Sequence, residues 1–193
     1  NSENNEGTCT VSADGRQIIF TSCRGRSGYG SCDLFLSEKK GDQWSVPVNM
    51  GPSINSAAWE SQPSLSADGR ELYFVSDRKG GLGGRDLYVS YQIDKGKWTK
   101  AENLGPVINT RYDEISPFIH VNGRTLFFAS NGRPGFGGYD LYRSERDDGK
   151  WSVPENFGAP VNTYEDQFSL FITTDGRRGY YSHEKELNDN SGR

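Results

Sequence analysis

The most constraining feature of this chain is that it repeats. Asp14, Asp68, Asn122 and Asp175 lie 54, 54 and 53 residues apart, and each is followed by Gly and Arg. Other landmarks keep the step: Asp33, Asp86 and Asp140 before Leu-Phe or Leu-Tyr, then Trp44, Trp98 and Trp151, Gly51, Gly105 and Gly158, and Asn55, Asn109 and Asn162. A period of about 54 residues carrying short strands belongs to radial or stacked β architectures rather than helical arrays. Counting back from each turn puts repeat starts at Asn1, Asn55, Asn109 and Asn162, giving units 1–54, 55–108, 109–161 and an incomplete 162–193.

Each unit reads as a four-stranded antiparallel meander. In the second, strand A is expected at about Ser61–Ser66, B at Glu71–Ser76, C at Asp86–Gln92 and D at Lys97–Glu102. Asp68-Gly69 and Lys95-Gly96 supply turns, and a glycine-rich loop, Lys79–Gly84, joins B to C. Pro47 and Pro154 fall in strand D, where a missing backbone donor is tolerated only at an edge. Strand D is therefore outermost and A innermost, which defines the blade of a β-propeller. In strand B, Leu72 and Phe74 alternate with Tyr73 and Val75, so both faces are apolar, as packing between two neighbouring blades requires. The repeated Trp, Tyr and Phe positions are expected to form inter-blade core. The fourth unit offers strand A at Gln167–Thr173 and strand B at about Arg178–His183, then Asn188–Arg193 end before another Asp-Leu-Tyr strand. The open edges this leaves are expected to be covered by further blades of a longer polypeptide or by a partner.

Composition narrows the function classes. The formal charge of −4 argues against a nucleic-acid face. No apolar run reaches membrane-spanning length, and no signal-peptide pattern is present, as in a mature or excised segment. Cys23 and Cys32 flank the first B–C loop, where they face each other across a hairpin, so a disulfide and an oxidising compartment are expected. Cys9 takes the strand-A slot of Pro63 and Pro117 and reads as a small buried hydrophobe. No second thiol pair or His at ligand spacing supports zinc, and no metal or cofactor is expected.

Meander topology puts the D–A and B–C loops on one rim and the Asp-Gly and Lys-Gly turns on the other. The first rim carries an acidic slot at Glu6, Glu60, Glu114 and Gln167, eight residues before each turn. Its repetition marks it as scaffold, because an active site needs one set of residues. Asp33, Asp86 and Asp140 follow Gly-rich loops, but each is one carboxylate among glycines and cations, and the loop leads into a strand. A calcium site and a phosphate cradle are both disfavoured, and the aspartates are expected to cap the loops through backbone N–H groups. The candidates for partner binding on this rim are Trp59, Arg78, Arg85, Arg111, Tyr112, Asp113, Arg133, Tyr139 and Tyr164, with Arg24, Arg26, Glu165 and Asp166 beside them. Specificity is expected from those that differ between units, Trp59 beside Tyr112-Asp113 and Glu165-Asp166, and Cys32 beside Arg85 and Tyr139. No Gly-x-Ser-x-Gly elbow is present, neither His120 nor His183 has a nucleophile at motif spacing, and the Ser-x-Asp-Gly turn departs from a sialidase Asp-box. The chain is read as non-enzymatic.

The motifs Glu-x-x-Pro-x-x-Ser-x-Asp-Gly-Arg-x-Leu-Tyr-Phe-x-Ser, Gly-x-Gly-Gly-x-Asp-Leu-Tyr and Trp-Ser-x-Pro-x-Asn-x-Gly resemble the TolB-type, WD-like β-propeller repeat, over essentially the whole chain. The glycine-rich form is similar to propellers placed before OmpA-like peptidoglycan-binding domains in outer-membrane proteins of Bacteroidetes, type IX secretion components among them. The resemblance implies a periplasmic, outer-membrane-associated scaffold that docks envelope proteins, with peptidoglycan reached only through a domain outside these residues. The other reading is a propeller that holds a glycan on Trp59 and Tyr112 or gates a peptidase on another domain.

Overall fold

The computed structural model describes residues 5–23 and 28–184. Asn1, Arg24, Arg26 and the tail 188–193, all used above, lie outside the described residues. Among the described residues seventeen strands make three five-stranded antiparallel sheets and one two-stranded sheet. The first contains β1 (Asn5–Val11), β2 (Gln17–Cys23) and β3 (Cys32–Lys40), with the dipeptide strands β4 (Gln43–Trp44) and β5 (Val48–Asn49) both on β3. The second contains β6 (Glu60–Leu65), β7 (Glu71–Ser76), β8 (Asp86–Asp94), β9 (Lys97–Trp98) and β10 (Glu102–Asn103). The third repeats this with β11 (Glu114–Ile119), β12 (Thr125–Ser130), β13 (Asp140–Asp147), β14 (Lys150–Trp151) and β15 (Glu155–Asn156). The fourth pairs β16 (Asp166–Ile172) with β17 (Gly179–Glu184).

The outer strand, expected as one piece, is instead broken into two dipeptides in each of the three five-stranded sheets. A hydroxyl bridges the break: Ser37 Oγ donates to the Ser45 carbonyl at 2.7 Å, while Ser45 Oγ accepts the Glu38 N–H at 3.0 Å. Ser90 with Thr99 and Ser144 with Ser152 repeat the arrangement. Pro47 and Pro154 sit in these gaps and so remove no ladder bond.

The inner strands contact one another in the order β1, β6, β11, β16, which fans the sheets about an axis. Each carries a bulge, and in β6, β11 and β16 the bulged residue is left-handed: Gln62, Ser116 and Ser169, at φ 54°, 54° and 56°. The bulge turns peptide groups toward the neighbouring blade. Gln62 N–H donates to Thr8 Oγ1 at 3.1 Å, and Ser116 N–H to Gln62 Oε1 at 2.7 Å. Leu65 N–H to Thr10 Oγ1 and Ile119 N–H to Ser64 Oγ form a parallel rail.

Strand alternation divides the core into inter-blade layers. One joins Ile19 and Leu34 of the first blade to Leu65, Leu72, Phe74 and Tyr88 of the second. The other joins Tyr73, Val75, Leu87 and Val89 to Ile115, Leu126 and Phe128 of the third, then runs through Phe127, Ala129 and Leu141 to Leu170 of the fourth. Two expectations fail on the first blade. Trp44 is 45% exposed and Cys9 is exposed, whereas their counterparts Trp98, Pro63 and Pro117 are buried. The cause is the same for both: among the described residues no sheet covers the face of the first blade turned away from the second.

Candidate docking rim

The B–C loop of each blade is joined to the chain entering the inner strand of the next. Ser31 N–H donates to the Ala58 carbonyl at 3.0 Å, Gly84 N–H to that of Tyr112 at 3.1 Å, and Gln167 N–H to that of Tyr139 at 2.7 Å. Contact is so close that a Cβ on Gly30 would stand 1.8 Å from the Ala58 oxygen, and one on Gly83 1.9 Å from that of Tyr112. Only glycine fits there. Asp33, Asp86 and Asp140 are buried, and each accepts two backbone N–H bonds from its own loop, as from Leu82 and Gly83 onto Asp86. Cys23 and Cys32 are joined by a disulfide at the base of the first of these loops. Such a bond suits an oxidising compartment.

The acidic slot fastens the other loop. Glu60, fully buried, accepts from Ser56 N–H, Ser56 Oγ and Ser76 Oγ and ion-pairs with Arg78 at 3.1 Å. Glu114 accepts from Thr110 N–H, Thr110 Oγ1 and Ser130 Oγ, and burial raises its carboxyl above the usual range. Gln167 accepts the Thr163 N–H but donates from Nε2 to Thr163 Oγ1, the reverse of the glutamates, and Glu6 stands on β1 opposite Ser22.

The residues that sequence reasoning missed are Asn55, Asn109 and Asn162. Each side chain takes the N–H and carbonyl of one residue, Leu34, Leu87 and Leu141 respectively, at 2.8–2.9 Å, as a paired strand would. They were legible as landmarks because of their spacing. Their role was not, because a clasp between two peptide groups depends on where the chain returns.

The partner-binding candidates divide into two groups. Arg78 is drawn inward, donating to the Ile54 carbonyl and lying over Phe74 and Tyr88, with its guanidinium carbon 4.8 Å from the Tyr88 centroid. Arg133 donates to the Val107 and Ile108 carbonyls. Both belong to the scaffold rather than to a free surface. The rest gather on the rim. Arg85 lies 5.1 Å over the Trp59 ring, and Arg111 lies 4.9 Å over Tyr112 while donating to its hydroxyl at 2.9 Å. Asp113 accepts the Arg85 N–H and the Tyr139 hydroxyl, both at 3.0 Å, which ties a loop of the second blade to one of the third. Burial, and then the Asp113 carboxylate, push the Tyr139 phenol up to about 12, so it remains a donor at neutral pH. Farther along, Tyr164 is 80% exposed, and His183 Nδ1 lies 3.2 Å from Glu165 Oε2. Tyr29, Leu82 and Phe136 occupy equivalent loop positions and are each about half exposed, an apolar tip on every complete blade.

Among the described residues no three His, Cys, Asp or Glu side chains are placed to hold a metal, and no helix is long and apolar enough to cross a membrane. No protein-family model and no curated protein matches the chain. Solved structures do. TolB from Acinetobacter baumannii superposes with a TM-score of 0.67 at 13% identity, over 96% of this chain and 39% of that one. A putative TolB from Agrobacterium tumefaciens gives 0.58 at 16%, over 95% and 61%, and a prolyl endopeptidase gives 0.58 at 18%, over 94% and 23%. This chain thus spans about two fifths of the length of the Acinetobacter protein. At these identities the likeness establishes the architecture, a TolB-like β-propeller fold.

Proposed function

We propose that this propeller is a non-catalytic scaffold of the periplasm, associated with the outer membrane, which docks protein partners in an envelope or secretion assembly through the rim of D–A and B–C loops. The observation that carries this reading is a division of labour on that rim. Residues repeated along the rim are buried and spent on tying loops together, while among those that differ between blades Arg85, Arg111, Tyr112 and Tyr164 are exposed on the backbone so fixed and Trp59 lies half-buried beneath Arg85. Rigid display of Tyr, Trp and Arg is what a protein interface uses for its anchors. The disulfide supports an extracytoplasmic location. Attachment to peptidoglycan belongs, on this reading, to a parent chain. Trp59, the aromatic best suited to stacking a sugar, already has a face occupied by Arg85, which favours docking over a glycan box.

The test places a photo-crosslinking residue at Tyr112, at Phe136 and, on the opposite rim, at Asp148, in the cells that make the protein. A discrete protein adduct from the first two positions and none from the third is the expected result. Equal adducts from both rims, or turnover of a chromogenic peptide or glycoside by the purified chain, would end this reading.

A further inference from the structure

Four described arginines are stacked on aromatic rings, and they differ in what else holds them. Arg78 is also ion-paired with Glu60, and Arg146 with Glu71. Arg85 and Arg111 ion-pair with no carboxylate of a described residue. Both are exposed, and neither is demanded by the repeat: Cys32 and Tyr139 stand at the position of Arg85, and Ala57 and Tyr164 at that of Arg111. Their loops adjoin, since Gly84 N–H donates to the Tyr112 carbonyl and Arg85 bridges to Asp113. Stacking fixes the plane of a guanidinium and leaves N–H groups at its edge for an acceptor.

The border of this patch is apolar. Leu82 and Tyr112 are 47% and 46% exposed beside the two cations. The next blade boundary carries the opposite sign, with Glu165 and Asp166 on the same rim, and the chain as a whole is acidic. A nucleic acid or an anionic lipid surface would have to lie over those carboxylates as well. A short acidic segment need not. Resting on the docking role proposed above, we infer that Arg85, Arg111, Tyr112 and Leu82 form the subsite for an extended acidic peptide segment of the partner, its carboxylates taken by the two guanidiniums and an intervening apolar residue by Leu82 and Tyr112.

The probe is a fluorescein-labelled peptide, Asp-Leu-Asp-Tyr-Asp-Leu, titrated against the 193-residue chain by fluorescence anisotropy at low salt. Its counterpart with Asn for every Asp serves as control. Saturable binding of the Asp peptide, weakened about tenfold by Arg85→Gln with Arg111→Gln and unchanged by Arg70→Gln on the opposite rim, is the expected result. Circular dichroism checks that the double variant is folded. Equal binding of the Asn peptide, no binding at up to about 1 mM (a threshold near −4 kcal/mol), or full displacement by inorganic phosphate or by anionic vesicles of equal charge would overturn it. So would self-association in sedimentation velocity that depends on the same arginines, which would make the occupant a second copy. Loss of peptide binding with the Tyr112 adduct retained sinks only the acidic chemistry, whereas peptide binding without any adduct sinks the docking role.

Discussion

The boundary between the first and second blades and that between the second and third descend from the same repeat and are sealed differently. At the second, Arg146 reaches across to Glu71 in a two-pronged ion pair of 2.9 and 3.0 Å, donates to the Gly123 carbonyl at 2.7 Å and lies 5.2 Å over Trp151. Tyr73 OH donates to the same carboxylate at 2.8 Å. At the first, the corresponding residues are Gln92, Gln17 and Ile19, and Gln17 turns to Glu38 on its own blade. A groove of about 650 Å³ stays open there, lined by Gln17, Gln92, Asp14, Asp68 and Lys95 among others. The difference shows that the repeat dictates the apolar contact between sheets, while one or two residues at its margin decide whether the boundary is locked or left as a cleft.

What the two boundaries share should break them equally. Asn55 and Asn109 make the same clasp on either side, so Asn55→Ala and Asn109→Ala each strand a buried N–H, while the clasped carbonyl keeps the N–H of Met50 or Leu104, and should each cost about 2 kcal/mol. Urea denaturation of both variants checks this, and a twofold disparity would show that the clasps are not equivalent. What they do not share should separate them. Arg146→Ala removes a pair whose side chains are 21% and 17% exposed and should cost about 2 kcal/mol, whereas Gln92→Ala should stay within about 0.5 kcal/mol. The sharper version installs the lock: Gln17→Glu with Gln92→Arg should raise stability by about 1 kcal/mol and close the groove.

The smallest expected effect concerns pH. Burial raises the Glu114 carboxyl, so the folded protein retains a proton that the unfolded chain, at the ordinary value of 4.5, gives up. That contribution is complete below 4.5 and is lost as pH rises through the higher folded value. Glu114→Gln, which copies the residue present at Gln167, should remove this decline from a series of urea midpoints measured between acid and neutral pH. An unchanged slope in the variant would assign the pH dependence elsewhere.

How much of this was legible in advance depends on whether a residue acts within its own unit or across a boundary. The edges of β7 and the start of β8 follow from alternation and from the turn residues beside them, which are local. Trp44 and Cys9 were misplaced because burial is a property of the neighbour: Trp98 has a blade beside it and Trp44 has none among the described residues. Arg78 and Arg133 looked like rim cations by position, yet carbonyls at the returning linker claim them. Arg85, in the same loop as Arg78, and Arg111, in the loop before β11, carry the same formal charge and remain outside.

The period, the all-β class, the four-stranded blade and the rim on which the variable loops meet were all determined by the order of residues, because turn chemistry and side-chain alternation act over a few positions and repeat every 54 or so. The tertiary structure alone decided which charges are consumed and which are displayed, and which blade boundary is locked. Those outcomes turn on ångström-scale distances between segments about twenty to seventy-five residues apart, and no local pattern encodes them.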